Sequence, residues 1–194
     1  MVANEKDEVI VPKAELEAAA SQMELTEEDK QLLDKYSRTF IGSFSHSLDA
    51  KGRLVVPLSF RETLGDTFCI APSYDFESIA LYPNLMWARM REHYEKLSRM
   101  NSALKRYLEQ MDALSFRDQE CDNQGRVLLP AKIRSCILGE EKDVDITGAN
   151  DHVRVVAHVT AEEQFKQFKD DLPDILQNIS MLEMNMVGSF SCKE

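Results

Sequence analysis

The chain has 194 residues, 43% of them hydrophobic, and a formal net charge of −11. That length can bury a core as one domain or two small ones, and no apolar run is long enough to span a bilayer. The acidity argues against a uniformly basic nucleic-acid binder, but it is uneven: residues 1–39 hold 10 acidic and 5 basic side chains, residues 161–194 hold 7 and 3, and residues 40–160 hold 17 and 15.

The middle of the chain is therefore near neutral and has room for a basic face. The first residues show no charged-then-apolar leader pattern, so the expected location is the cytoplasm. Cys69, Cys121, Cys136 and Cys192 are scattered, with no CxxC pair and no histidine at ligand spacing. Disulfides and metal ligation are not expected, and Cys69, Cys121 and Cys136 are expected as small buried hydrophobes.

Residues 1–39 form an acidic helical extension. Lys13–Ser21 is rich in Ala and Glu, and Thr26-Glu27-Glu28-Asp29 has the form of a capped helix start. Leu25, Leu32, Leu33 and Tyr36 make a thin apolar stripe along it. From Phe40 the texture changes. Phe40–Leu48 is expected as a strand, residues 49–53 as a tight turn, and Leu54–Val56 as the return strand of a hairpin. Pro57–Leu64 follows as a short helix ended by Gly65 in the αL conformation, then strands at Phe68–Ala71 and Ser78–Tyr82. Asn84 is the expected N-cap of a helix over Leu85–Arg99, and a second helix spans Ala103–Leu114. The charges on this helical stretch, Arg91 among them, have the mixture of a solvated face.

The same order then returns: strand Ser115–Cys121, a turn, strand Val127–Leu129, helix Pro130–Leu138 ended by Gly139, and strands Asp143–Thr147 and His152–His158. Thr160-Ala161-Glu162-Glu163 has capping-box spacing and is expected to open a last helix, with Phe165 and Phe168 on its apolar edge. Pro173 should interrupt it. The whole reads as a mixed, β-rich α+β protein.

The repeat is sharpest at the turns. Asp49-Ala50-Lys51-Gly52-Arg53-Leu54-Val55-Val56-Pro57 answers Asp122-Asn123-Gln124-Gly125-Arg126-Val127-Leu128-Leu129-Pro130, 73 residues later, and Arg61 answers Arg134. Such a repeat predicts two copies of one supersecondary unit. Asp49 and Asp122 can accept backbone N–H bonds within the turn, and Gly52 and Gly125 supply positive φ. Arg53 and Arg126 have two readings: ion partners of Asp49 and Asp122, or ligand-facing cations. Lys51, a second positive charge on the first turn, favours the ligand-facing reading for Arg53. Nothing in the pattern supports catalysis. Asp49, Asp122, His46, His152 and His158 show no nucleophile–base spacing, phosphate-binding glycine loop or metal signature, and the histidines are expected as solvent-facing strand residues.

Phe40 to about Phe168 resembles the MraZ family, bacterial regulators built from two tandem SpoVT/AbrB-type swapped-hairpin units. The matching residues are Leu48-Asp49-x-Lys51-Gly52-Arg53-Leu54-x-x-Pro57 with Phe60-Arg61, Leu81-Tyr82-Pro83 with Trp87, and Cys121-Asp122-x-x-Gly125-Arg126-x-Leu128-x-Pro130 with Arg134. The resemblance implies a pseudo-symmetric swapped-hairpin barrel with flanking helices. It divides the chain into the extension 1–39, a first unit 40–90, a helical connector 91–114, a second unit 115–158 and a C-terminal helix and tail 159–194. It also implies a transcriptional repressor of the division and cell-wall gene cluster. Such a protein forms a ring-shaped homo-oligomer, binds tandem upstream repeats of double-stranded DNA and is found at the nucleoid.

Lys51 and Arg53 match the family's DNA-contacting positions, and Arg61, Arg126 and Arg134 complete the candidate set. No cofactor, metal, small-molecule ligand or membrane is expected. The chain departs from the family pattern in its acidic extension, in Asn123 and Gln124 where a basic residue often sits, and in the absence of aromatics from Val153-Arg154-Val155-Val156. Two binding readings stand beside this one: an AbrB-type antitoxin that clasps a toxin, and a ring-forming scaffold with no DNA role.

Overall fold

A computed structural model describes residues 26–99 and 101–190. The chain divides into two units, Met1–Arg38 and Thr39–Glu194. In the first, helix α1 spans Glu27–Ser37, and the Lys30 N–H donates to the Thr26 carbonyl at 3.0 Å. Leu32, Leu33 and Tyr36 are exposed on it. The expected Lys13–Ser21 helix and Leu25 lie outside the described residues.

The second unit runs β1 (Ser43–Ser47), β2 (Arg53–Val55), α2 (Leu58–Leu64), β3 (Phe68–Pro72), β4 (Ile79–Pro83), α3 (Asn84–Ser98), α4 (Ser102–Ala113), β5 (Phe116–Gln119), β6 (Arg126–Leu128), α5 (Ala131–Ile137), β7 (Asp143–Gly148), β8 (Val153–Ala157) and α6 (His158–Phe190). A six-stranded antiparallel sheet has the order β1-β7-β8-β4-β3-β5, and β2 and β6 form a separate antiparallel ribbon. The sheet order is palindromic. β1 and β5 are equivalent strands of the repeat, as are β7 and β3, and β8 and β4. A pseudo-two-fold axis therefore passes between β4 and β8 and through the ribbon, where Leu54 pairs with its own counterpart Val127.

The partners are exchanged. β1 pairs with β7 of the second repeat, and β5 pairs with β3 of the first. The expected hairpin between β1 and β2 is thus replaced by pairings across the axis. The turn between them closes locally, Asp49 N–H to Arg53 carbonyl at 3.0 Å, and the two strands then leave for different sheets. Alternation predicts where strands lie, but cross-strand packing selects their partners. β1 and β5 are the edges of the six-stranded sheet, which its hydrogen bonds leave open.

The core lies between sheet and ribbon and uses equivalent residues from both repeats: Leu54, Val56, Phe60, Ile70 and Leu81 from the first, Val127, Leu129, Ile133, Val144 and Val155 from the second. β3 and β4 are buried on both faces. Their alternate residues Cys69, Ala71, Ala80 and Tyr82 pack with Trp87 and Met90 of α3. Burial pushes the Cys69 thiol up to about 12, so it stays protonated. Arg91, expected on a solvated face, instead joins α3 to α4 by a bidentate bond to Asp112, with both N···O distances 2.8 Å.

Several caps differ from expectation. Asn84 is the first residue of α3, not its cap, because its amide donates to Thr67 Oγ1 and the Thr67 carbonyl. Asn101 caps α4, accepting from the Ala103 and Leu104 N–H groups. Gly65 has φ +83° but ψ −176°, an extended conformation open to glycine rather than αL. α6 begins two residues before Thr160, where the His158 ring meets Asp145, and it continues through Pro173. α6 starts 74 residues after α3, so the repeat extends from the strands into the helices that follow them.

Leu54→Ala should lower the unfolding free energy by about 2–5 kcal/mol, the range for emptying a filled core position. Leu128→Ala, on the exposed side of the same ribbon, should stay within about 0.5 kcal/mol. Urea denaturation of both variants measures the difference.

Candidate nucleic-acid interface

The two turns are built alike. In the first, Asp49 Oδ1 accepts the N–H groups of Lys51 and Arg53, each at 2.9 Å, while Oδ2 accepts Arg53 Nε at 2.6 Å. In the second, Asp122 Oδ1 accepts the N–H groups of Gln124 and Arg126 at 2.9 Å, and Oδ2 accepts Arg126 Nε at 2.8 Å. Each carboxylate is thus both turn clasp and counter-ion. These bonds favour the charged form and hold both acids down to about 2: at Asp49 the Arg53 N–H contributes most, at Asp122 the Arg126 side chain. The ion-pair reading therefore describes both arginines, Arg53 as well as Arg126. Arg53 keeps its two Nη groups without a protein partner among the described residues, so pairing with Asp49 leaves a donor fork available.

Gly52 and Gly125 are fastened from the other repeat. The Leu129 N–H donates to the Gly52 carbonyl at 3.1 Å, and the Val56 N–H to the Gly125 carbonyl at 2.9 Å. The guanidinium of Arg134 lies against Gly52: a Cβ there would stand 1.2 Å from Nη1. At Gly125 a Cβ would stand 2.6 Å from Arg61 Cζ. With φ of +76° and +73°, these positions require glycine for conformation and for space. Both glycines are buried although they sit in turns.

This crossing sorts the five predicted cations into two groups. Lys51, exposed and in no ion pair among the described residues, shares the first turn with Arg53 and with Arg134 from the second repeat. Arg126 shares the second turn with Arg61, whose buried Nε has no partner among the described residues. The second turn presents Asn123 and Gln124 in place of a lysine and borders a cleft lined by Glu62, Asp66 and Glu120. Sequence reasoning assigned Arg61 and Arg134 to their own units and missed the exchange. The available signal was their identical spacing of nine residues from the turn glycines.

His46 lies on β1 and is partly exposed, but His152 and His158 are not the solvent-facing strand residues expected. His152 precedes β8, stacks on Tyr82 at 4.7 Å and meets Asp151 at 2.7 Å. His158 opens α6, and its Nδ1 lies 2.9 Å from Asp145 Oδ2. Among the described residues no group of three or more His, Cys, Asp or Glu is arranged to hold a metal ion, and no helix is long and apolar enough to cross a membrane.

The depressed carboxylates set an acid response. Asp49 and Asp122 contribute stability that is complete above the ordinary value of 3.8 and is lost as pH falls through about 2. NMR titration should place both carboxyl midpoints near 2, and Asp49→Asn should flatten the loss of stability across that window.

The sequence matches the family model described as "MraZ protein, putative antitoxin-like" over residues 39–110, which include the first turn. A protein of Lactiplantibacillus plantarum named transcriptional regulator MraZ is 32% identical over 144 residues, covering 72% of this chain and 97% of its own. Proteins of the same name from Natranaerobius thermophilus and Desulforamulus reducens are 30% and 29% identical, over 73% and 71% of this chain and 94% and 99% of theirs. With the doubled Asp-x-x-Gly-Arg turn and relatives aligned along nearly their whole length, this chain belongs to the MraZ family.

Proposed function

We propose that the protein is a DNA-binding transcriptional repressor whose first turn, with Lys51, Arg53 and Arg134, engages double-stranded DNA. The observation that carries this reading is the geometry of that tip. Among the described residues Lys51 stands exposed with no counter-ion, and Arg53 is held by Asp49 through Nε with its Nη groups unspent. A guanidinium fixed in this way can meet a guanine edge with little further loss of rotamer entropy, while the lysine supplies a phosphate contact. Arg61 and Arg126 provide the weaker second contact, on a turn with Gln124 in place of a lysine. The relatives' name, transcriptional regulator, supports the regulatory part of the reading.

One tip offers few contacts. A ring of copies presenting several tips to tandem upstream repeats raises affinity through effective concentration, by roughly 100-fold or more when spacing matches. The family resemblance points to the division and cell-wall cluster as the regulated genes and to the nucleoid as the place of action. It also describes the architecture as two SpoVT/AbrB-type swapped-hairpin units spanning 40–90 and 115–158, and the exchange of β1 and β5 between repeats supports that description.

Fluorescence anisotropy on the protein's own upstream DNA, across a salt series, tests the proposal. Arg53→Ala should cost about 1–3 kcal/mol per contact, and Lys51→Ala should weaken all sequences alike and reduce the salt slope by about 1. Gln124→Ala should do neither. Wild-type affinity and slope for Arg53→Ala would overturn the assignment. Deleting residues 1–39, which carry a net charge of −5, should raise binding to random DNA at low salt.

A further inference from the structure

α6 is one helix of 33 residues, and its continuity through Pro173 has a consequence for its apolar side chains. Phe165, Phe168, Leu172, Ile175, Ile179 and Leu182 follow one another at alternating intervals of three and four residues, and Met186 continues the spacing in sequence. This is the seam of a coiled coil. The opposite face carries Lys166, Gln167, Asp170, Asp174, Gln177 and Ser180, followed by Met181 and Met184. Phe165 is 61% exposed, Ile179 45% and Leu182 63%. An apolar stripe about 27 Å long, at 1.5 Å per residue, is thus left open to water.

We propose that α6 pairs along this seam with α6 of a second copy of the chain. A helix of identical three–four spacing is the partner whose knobs fit these holes. Six half-exposed side chains at on the order of 80 Å² each would remove roughly 1,000 Å² from water over two copies, the lower bound for a stable specific interface. The flanks permit it. In parallel register Asp171 faces Leu176 of the second copy and Asn178 faces Glu183, so like charges never meet, while Gln164 stays bonded to Arg154 and Glu77 of its own chain. Pro173 falls beside Asp174 on the outward face, where its missing N–H leaves the seam intact. This contact is separate from the DNA-facing turns.

Hydrogen exchange on the full chain across a concentration series tests the pairing. Amides between Phe165 and Leu182 should gain protection with concentration. In Ile175→Glu/Ile179→Glu that protection should fall roughly tenfold or more, with β3 and β4 protected as before to report an intact core. Gln167→Glu/Gln177→Glu, on the outer face, should behave as wild type. Protection that does not depend on concentration, whether present or absent, overturns the proposal, and it does so from the wild type alone if the seam variant fails to fold. Concentration-dependent protection that survives the seam charges overturns it as well.

Discussion

The three-residue pairing of β2 with β6 holds the repeats together, and the rest of the fold depends on it. Leu54 and Val127 face each other on the pseudo-two-fold axis, both sealed from solvent. From that pair outward, each turn's glycine carbonyl is bonded by the other repeat, and each turn's glycine is roofed by the other repeat's arginine. Neither repeat can satisfy its own strands: β1 needs β7, and β5 needs β3. Backbone groups left unpaired in a buried sheet are costly, so the two copies fold as one cooperative object rather than two beads.

The same crossing explains how an acidic chain presents positive charge. Cations are not clustered in sequence. They are brought together because Arg134 must reach Gly52 and Arg61 must reach Gly125. Asp49 and Asp122 neutralise part of each group and in return fix the arginine next to them. What separates the turns is Lys51 against Gln124, since both border clefts with acidic side chains, Glu140 and Glu141 at the first and Glu62, Asp66 and Glu120 at the second. Two turns of one backbone design therefore differ in field.

Much of the fold was legible in the residues. Asp, Gly and Pro at fixed offsets specify the turns and the starts of α2 and α5, because those signals act within a few bonds of the backbone. The short apolar runs of β3 and β4, and the helical spacing of α3 and α4, were legible for the same reason. The caps at Asn84 and Thr160 were misjudged because Thr67 and Asp145, distant in sequence, are bonded by Asn84 and His158 at the helix starts. Pro173 was expected to interrupt a helix that instead runs through it to Phe190. Losing one N–H is tolerable where the turns on either side are hydrogen-bonded.

At the site, the sequence by itself determined the chemistry: two acid-clasped turns, their glycines, a lysine on only one of them, and an arginine after each. It also determined that there are two copies, since the repeat is written in the residues. Tertiary structure alone decided which strand pairs with which, and that each turn borrows its second arginine from the other copy. The physical reason is range. Turn geometry is settled by neighbours along the chain, whereas strand partners and the crossing guanidinium are settled by packing between segments about 50 to 100 residues apart, which no local pattern encodes.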